Sequence, residues 1–172
     1  MLETARLIIR PIESSDWRSV QWIADDFRSG PYVLYDTAKP ETDEGVRERT
    51  DIFAKSGAVY AVVRKKDMKM IGYVCMWPSP EFCEMGYSFH SSCHRMGYGY
   101  EACSELIGFM KSQGAEAIVA GTAIDNVPSV RLLEKLGFIM ISRNQTSFHK
   151  DAQGNDIFFE SGTFLKWLGT NG

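Results

Sequence analysis

Glu84-Met85-Gly86-Tyr87-Ser88-Phe89-His90-Ser91-Ser92-Cys93-His94-Arg95-Met96-Gly97-Tyr98-Gly99-Tyr100-Glu101-Ala102 reads as a strand that runs through a short loop into a helix with a glycine-rich first turn. The first N–H groups of a helix lack intrahelical partners and sit at the positive end of its dipole, so such a start attracts anions. Gly97 and Gly99 let a phosphate approach the backbone with no Cβ in the way. The alternative is that two glycines merely make a turn. Gly97 to Ala102 also matches the dinucleotide fingerprint GxGxxG/A. That fold requires the glycines directly after a strand, an acidic residue ending the next strand, and further βαβ units. Here several residues precede Gly97, Glu116 falls before the next strand, and only one βαβ unit is visible. No Gly-Lys-Ser/Thr follows, which removes a Walker A loop.

Outward from this stretch, the helix runs from Tyr98 to Gln113 on Ala102, Leu106, Phe109 and Met110, with Cys103 in the core, and Ala117 to Thr122 is a short buried strand. Asn126 to Leu136 follows as a helix capped at Asp125 or Asn126 and stopped by Gly137. Ile139 to Phe148 and Asp156 to Trp167 close the chain as a hairpin around Asp151 to Asn155. On the N-terminal side, Ala5 to Arg10 alternates as a strand ended by Pro11, and Ser14, Ser15 or Asp16 caps a helix carrying Trp17, Val20, Ile23, Ala24 and Phe27. A second helix spans Thr42 to Lys55, with Val46, Ile52 and Phe53 inward and Gly57 as its stop. Val59 to Arg64 and Met70 to Trp77 form a hairpin, and Phe82 to Phe89 is the next strand. The order is β α α β β β α β α β β.

The 172 residues hold no repeat or linker, so residues 1–172 read as one domain with a core from about 3 to 165. Apolar residues at 44% and charged residues at 24% place the chain with folded soluble proteins. Nineteen basic against 22 acidic residues give a net charge of −3, which argues against a general attraction to nucleic acid or anionic membrane. The longest apolar stretch is Ala58 to Val63, far short of a membrane span, and the N-terminus shows no secretory signal, so a cytoplasmic location is expected. Cys75, Cys83, Cys93 and Cys103 contain no CxxC and suit reduced thiols. His90, Cys93 and His94 with Cys83 match no common zinc spacing, and no metal is expected.

Four stretches together resemble the GNAT superfamily of N-acetyltransferases, in particular its ribosomal-protein N-terminal (RimJ/RimL-like) branch. They are Glu3-Thr4-Ala5-Arg6-Leu7-Ile8-Ile9-Arg10-Pro11 followed by Asp16-Trp17, Glu84 to His90, Gly97 to Ala102, and Asn126-Val127-Pro128-Ser129-Val130-Arg131-Leu132-Leu133-Glu134-Lys135-Leu136-Gly137-Phe138. The resemblance implies an α/β single-domain fold with a mixed, mostly antiparallel sheet splayed in a V and flanked by helices. It implies that pantetheine of acetyl-CoA, the acetyl donor, enters the gap between the strand ending at Phe89 and the strand Ala117 to Thr122. Backbone groups of Tyr87 and Phe89 would then hold it, with an N–H near Phe89 polarising the thioester carbonyl. Arg95, Met96, Gly97, Tyr98, Gly99 and Tyr100 would take the pyrophosphate, and Asn126 and Ser129 would line the other side. Two departures stand out: Arg95 occupies a position that is often glycine, and Leu133 replaces the tyrosine that serves many relatives as general acid.

The implied reaction moves acetyl to a primary amine by direct attack through a tetrahedral intermediate, without an acetyl-enzyme. Glu84 is the candidate base, directly or through water, against a solvated strand carboxylate. Ser129, directly or through water, is the candidate acid for the departing thiolate, against a plain cap or packing role. Trp17, Trp22, Phe27, Tyr32 and Tyr35 either line an acceptor pocket or pack helices. A protein N-terminal α-amine titrates near 7.7 and is roughly one-sixth neutral at pH 7, whereas lysine near 10.4 is far less than one-hundredth neutral, so a weak base suffices for the first. Small-molecule amines remain open. The competing class is a catalytically weak acyl-CoA-binding sensor or scaffold. Either a monomer or a homodimer is compatible with the chain.

Overall fold

A computed structural model describes residues 1–79 and 82–169. Its strands are β1 (Leu2–Glu3), β2 (Leu7–Pro11), β3 (Val59–Arg64), β4 (Lys69–Pro78), β5 (Cys83–Phe89), β6 (Ala117–Ala123), β7 (Ile139–Lys150) and β8 (Asp156–Trp167). The α-helices are α1 (Trp17–Arg28), α2 (Asp43–Ser56), α3 (Tyr98–Ser112) and α4 (Val127–Lys135). One sheet runs β1-β2-β3-β4-β5-β6-β8-β7. All neighbours are antiparallel except β5 and β6, which are parallel as the α3 crossover requires. These two strands share only the pairs Cys83↔Ile118 and Glu84↔Val119. Beyond Glu84 they part, which gives the expected V.

Side-chain alternation divides the molecule into two cores. Cys83, Met85, Ile118 and Ala120 face the cluster under α3 and α4, with Ala102, Cys103, Leu106 and Leu133. Tyr73 and Cys75 face the other cluster, under α1 and α2, with Val20, Ile23, Val46 and Phe53. No residue of β6, β7 or β8 belongs to that second cluster, so the α1/α2 core stops short of those three strands.

Several expected details change. β1 is an additional two-residue strand, and the first main strand starts at Leu7 because Thr4 N–H bonds Leu7 O in a turn. Asp16 takes the expected N-cap position of α1, but its side chain makes no cap bond there: it reaches back to accept from Glu13 N–H at 2.8 Å, and it is gripped by Arg10 through two bonds of 2.8 and 2.7 Å. Ser14 to Asp16 form a 3-10 turn started at Glu13. In α2, Thr42 caps Gly45 N–H and Gly57 ends the helix at φ +66°. Ile52, expected inward, is 64% exposed, and Thr50 is buried instead, its hydroxyl donating to Val46 O at 2.7 Å. Val46, Thr50 and Phe53 are spaced i, i+4, i+7 on one face, and Ile52 falls on the opposite side. In α3 the buried stripe is Tyr98, Ala102, Cys103, Leu106 and Ile107, while Phe109 and Met110 are half-buried. β8 inserts between β6 and β7, pairing with β6 from Ala117↔Trp167 to Ala123↔Ser161.

Candidate active site

The open end of the V gathers most of the residues singled out in the sequence. His90 N–H bonds Ile71 O at 3.1 Å, across the β4 ladder. In an antiparallel pair the backbone groups of alternate residues point to opposite sides, so those of Phe89 and Tyr87 point away from β4 into the cleft. The Phe89 carbonyl is occupied by His94 Nε2 at 2.8 Å, which leaves its N–H for the cleft. Gly72 makes room on β4, since a Cβ there would lie 2.4 Å from the Phe89 ring.

Gly97 is the N-cap of α3 at φ +80°, with no side-chain cap. The first intrahelical bond is Glu101 N–H to Gly97 O at 3.0 Å, so the N–H groups of Tyr98, Gly99 and Tyr100 precede it and are free for an anion. The loop is braced from the turn between β1 and β2: Arg6 donates to Met96 O at 2.9 Å and pairs with Glu101 at 2.6 Å, and Thr4 donates to the same carboxylate at 2.5 Å. Burial alone would raise the Glu101 carboxyl, but the bonds from Thr4 and Arg6 outweigh it and hold it below the ordinary glutamate value. The Tyr98 ring is buried with the Arg6 guanidinium 4.5 Å over it, so this residue offers the cleft only its backbone. Tyr100 is exposed, with Lys135 of α4 4.5 Å over its ring.

Arg95 takes the left-handed conformation, φ +59°, which explains the advantage of glycine at this place. Arg95→Gly is expected to stabilise the fold by about 1 kcal/mol, a few degrees in Tm, while losing an exposed cation beside the free N–H groups. Thermal melts paired with acetyl-CoA calorimetry check both halves: Tm should rise as affinity falls.

Across the cleft, Asn126 caps α4 by accepting from Ser129 N–H at 3.4 Å. The Ser129 hydroxyl lies 2.8 Å from the Tyr87 hydroxyl, so the two arms of the V are joined by an O–H···O bond. Burial pushes the Tyr87 phenol well above its usual range, so it is neutral at physiological pH. This pairing was missed in the sequence, where Tyr87 stood out only for its backbone. Glu84 lies on the opposite face, toward α1 and α2, in register with Trp77. It is exposed and makes no hydrogen bond or ion pair among the described residues.

The remaining candidates resolve into packing. Trp22 stacks on His90 at 3.4 Å, and Asp26 accepts from Ser91 N–H at 2.8 Å, docking α1 on the loop. Phe27 lies under Lys39. Tyr32 and Tyr35 are 6.2 Å apart, and Tyr35 packs on Phe159 of β8, so the α1–α2 connection reaches the last hairpin. Among the described residues no group of three or more His, Cys, Asp or Glu side chains is placed for a metal. All four cysteines are free and buried, and burial pushes the Cys75, Cys83 and Cys103 thiols to about 12, 11 and 12.

Residues 6–139 match the acetyltransferase (GNAT) domain family, a span that takes in β2 through α4 and the whole V. The chain belongs to the GNAT acetyltransferase family. It is an acetyl-CoA-dependent N-acetyltransferase. An uncharacterized N-acetyltransferase of Bacillus subtilis, YnaD, is 24% identical over 146 residues, 79% of this chain and 81% of that protein. The ribosomal-protein-S5-alanine acetyltransferase of Vibrio fischeri aligns with a TM-score of 0.75 at 24% identity, over 96% of this chain and 95% of its own. RimL, a ribosomal L7/L12 alpha-N-protein acetyltransferase solved with coenzyme A, aligns at 0.77 and 12% identity over 96% of both chains. These two likenesses carry the fold. No helix among the described residues is long and apolar enough to cross a membrane.

The cleft suits the GNAT donor. Its cradle at Gly97 has no side-chain cap, its free N–H groups match a pyrophosphate, and its strand-like backbone at Tyr87 and Phe89 matches an extended amide chain.

Proposed function

We propose that this GNAT enzyme acetylates the α-amine of a protein or peptide N-terminus, with Glu84 and the Tyr87–Ser129 pair serving the reaction from opposite faces of the sheet. That opposition carries the reading: a carboxylate with no partner among the described residues on one side of the V, and a hydroxyl pair bonded at 2.8 Å on the other. Arg95, Met96, Gly97, Tyr98, Gly99 and Tyr100 hold the pyrophosphate of acetyl-CoA, and Tyr87, Phe89, Asn126 and Ser129 line the cleft for its pantetheine arm. The donor supplies an acetyl group already activated as a thioester. Phe89 N–H points where negative charge builds on the carbonyl oxygen, which favours the transition state. Glu84 accepts the proton of the attacking amine, and Ser129, directly or through water, delivers one to the departing sulfur, while the neutral Tyr87 hydroxyl hydrogen-bonded to it holds it in place.

An N-terminal α-amine is favoured because it is partly neutral at pH 7 and needs only a solvent-exposed carboxylate as base. Val119 of β6 pairs with Glu84, and the α1/α2 core does not extend over β6, which leaves room there for an extended peptide to enter. The name of RimL, a ribosomal L7/L12 alpha-N-protein acetyltransferase, and that of the Vibrio fischeri ribosomal-protein-S5-alanine acetyltransferase support the same class. The test is CoA release against free-N-terminal peptides, N-blocked lysine peptides and small amines. The expected result is turnover of the first group. Turnover confined to lysine or small amines removes the acceptor assignment, and acetyl-CoA retained unconsumed with every amine makes the chain a sensor module.

A further inference from the structure

One cation on the acceptor side has its charge unanswered by the fold. Arg49 of α2 is half-buried, with its guanidinium 5.2 Å over the Phe53 ring, and Phe53 packs on Tyr73 of β4 at 5.5 Å. Its Nε is shielded from solvent and meets no hydrogen-bond acceptor among the described residues. Arg6, Arg10, Arg28, Arg64 and Arg143 each have a carboxylate partner. Arg18, Arg47, Arg95 and Arg131 have none but are exposed, where water serves them. Arg49 alone combines a shielded donor with a missing anion, an arrangement that costs free energy unless something else completes it.

The surroundings do not complete it. Asp36, a carboxylate whose charge reaches the same Tyr73 and Cys75 side chains, is paired with Lys39, and its backbone carbonyl is taken by His149 Nε2 at 2.8 Å. Lys39 itself is buried and lies over Phe27, so Arg49, Lys39 and Asp36 leave a net charge of +1. Burial pushes the Tyr73 phenol and the Cys75 thiol up to about 12, and Arg49 is the largest influence opposing that rise in both. Through Phe53 the guanidinium stands next to Tyr73, which pairs with Ser88 of β5, and the Cys75–Gly86 pair is the next one along this face.

Glu84 belongs to the next pair along the same face, Trp77–Glu84. Two strand residues span roughly 7 Å, so the step from the base to the Arg49 end of this floor is about 7 to 13 Å. We propose that Arg49 is the anion-recognising residue of the acceptor site, and that the acceptor carries a carboxylate one or two residues from its reacting amine. An arginine fork bonds a carboxylate through two parallel N–H groups, and a carboxylate on the Nε edge satisfies the shielded donor. This assignment rests on Glu84 marking the amine end of the site.

The experiment compares Ala-Glu-Ala-amide with Ala-Gln-Ala-amide, and Ala-Ala free acid with Ala-Ala-amide, which separates a side-chain carboxylate from a terminal one. At least one acidic member should have a KM about 10- to 100-fold below its neutral partner, the range of a charge-assisted bond. Arg49→Met should erase that difference, and Arg49→Lys should keep part of it, with Tm and acetyl-CoA affinity measured to show that both variants fold. Calorimetric binding of the same peptides reads Arg49 independently of turnover. Acid-selective binding without turnover supports Arg49 while removing the peptide acceptor reading. Equal binding of acidic and neutral peptides to the wild type, or selectivity that survives Arg49→Met, overturns the proposal.

Discussion

Glu84→Gln is expected to lower turnover by about 10²- to 10⁴-fold while leaving acetyl-CoA affinity nearly unchanged, the range of a lost general base. The substitution keeps the side-chain volume and leaves the backbone pairs Trp77↔Glu84 and Glu84↔Val119 intact, so the V should not move. No ion pair is broken among the described residues, because the carboxylate makes none. Cys93→Ala is the companion variant. Cys93 is buried, and its nearest polar neighbours, Arg64 Nη1 and Ser92 Oγ, stand 3.8 Å from its sulfur. It has no route to an acetyl carbonyl and should change turnover little. Steady-state kinetics on both variants with a verified acceptor decide: an active Glu84→Gln beside an inactive Cys93→Ala requires an acetyl-enzyme instead.

The cleft was legible in the sequence because its makers are local. A strand, a loop, glycines at a helix start and an Asn-capped second helix are each written within a few residues, and their order fixed the single parallel crossover. Ile52 was misjudged because hydrophobicity outweighed angle: one apolar residue on the outer side of α2 looks like core until Thr50 is seen to bond Val46 O and fill the inner face. The insertion of β8 between β6 and β7 needs knowledge of pairing that a hairpin signal does not carry. The Tyr87–Ser129 bond joins residues 42 apart, and Arg49 matters only because of an anion that no neighbour provides. Both are facts about tertiary placement, invisible to periodicity. The Arg95 conformation lies between: a loop position often held by glycine hints at a positive φ, and the observed +59° supplies the reason.

Replacing Gly97 and Gly99 together by valine is expected to weaken acetyl-CoA by at least about 100-fold, the loss of two or more charge-assisted bonds to backbone N–H groups. The two glycines fail for different reasons. At Gly97 the backbone sits at φ +80°, and a Cβ would lie 3.3 Å from Arg6 Nη2, the side chain that anchors Met96 O. Substitution there strains the loop as well as crowding the phosphate. Gly99 is helical, and a Cβ would meet Leu132 at 3.4 Å and the Phe89 ring at 3.6 Å, ordinary contacts that a methyl tolerates. Gly99→Ala alone should thus raise stability by up to about 1 kcal/mol through helix propensity, while still placing a methyl where phosphate approaches and lowering affinity. Stability and affinity moving in opposite directions is what a glycine kept for close approach predicts. A glycine kept only for packing would give a less stable protein, and unchanged acetyl-CoA affinity in the folded double variant would remove the loop from the binding site.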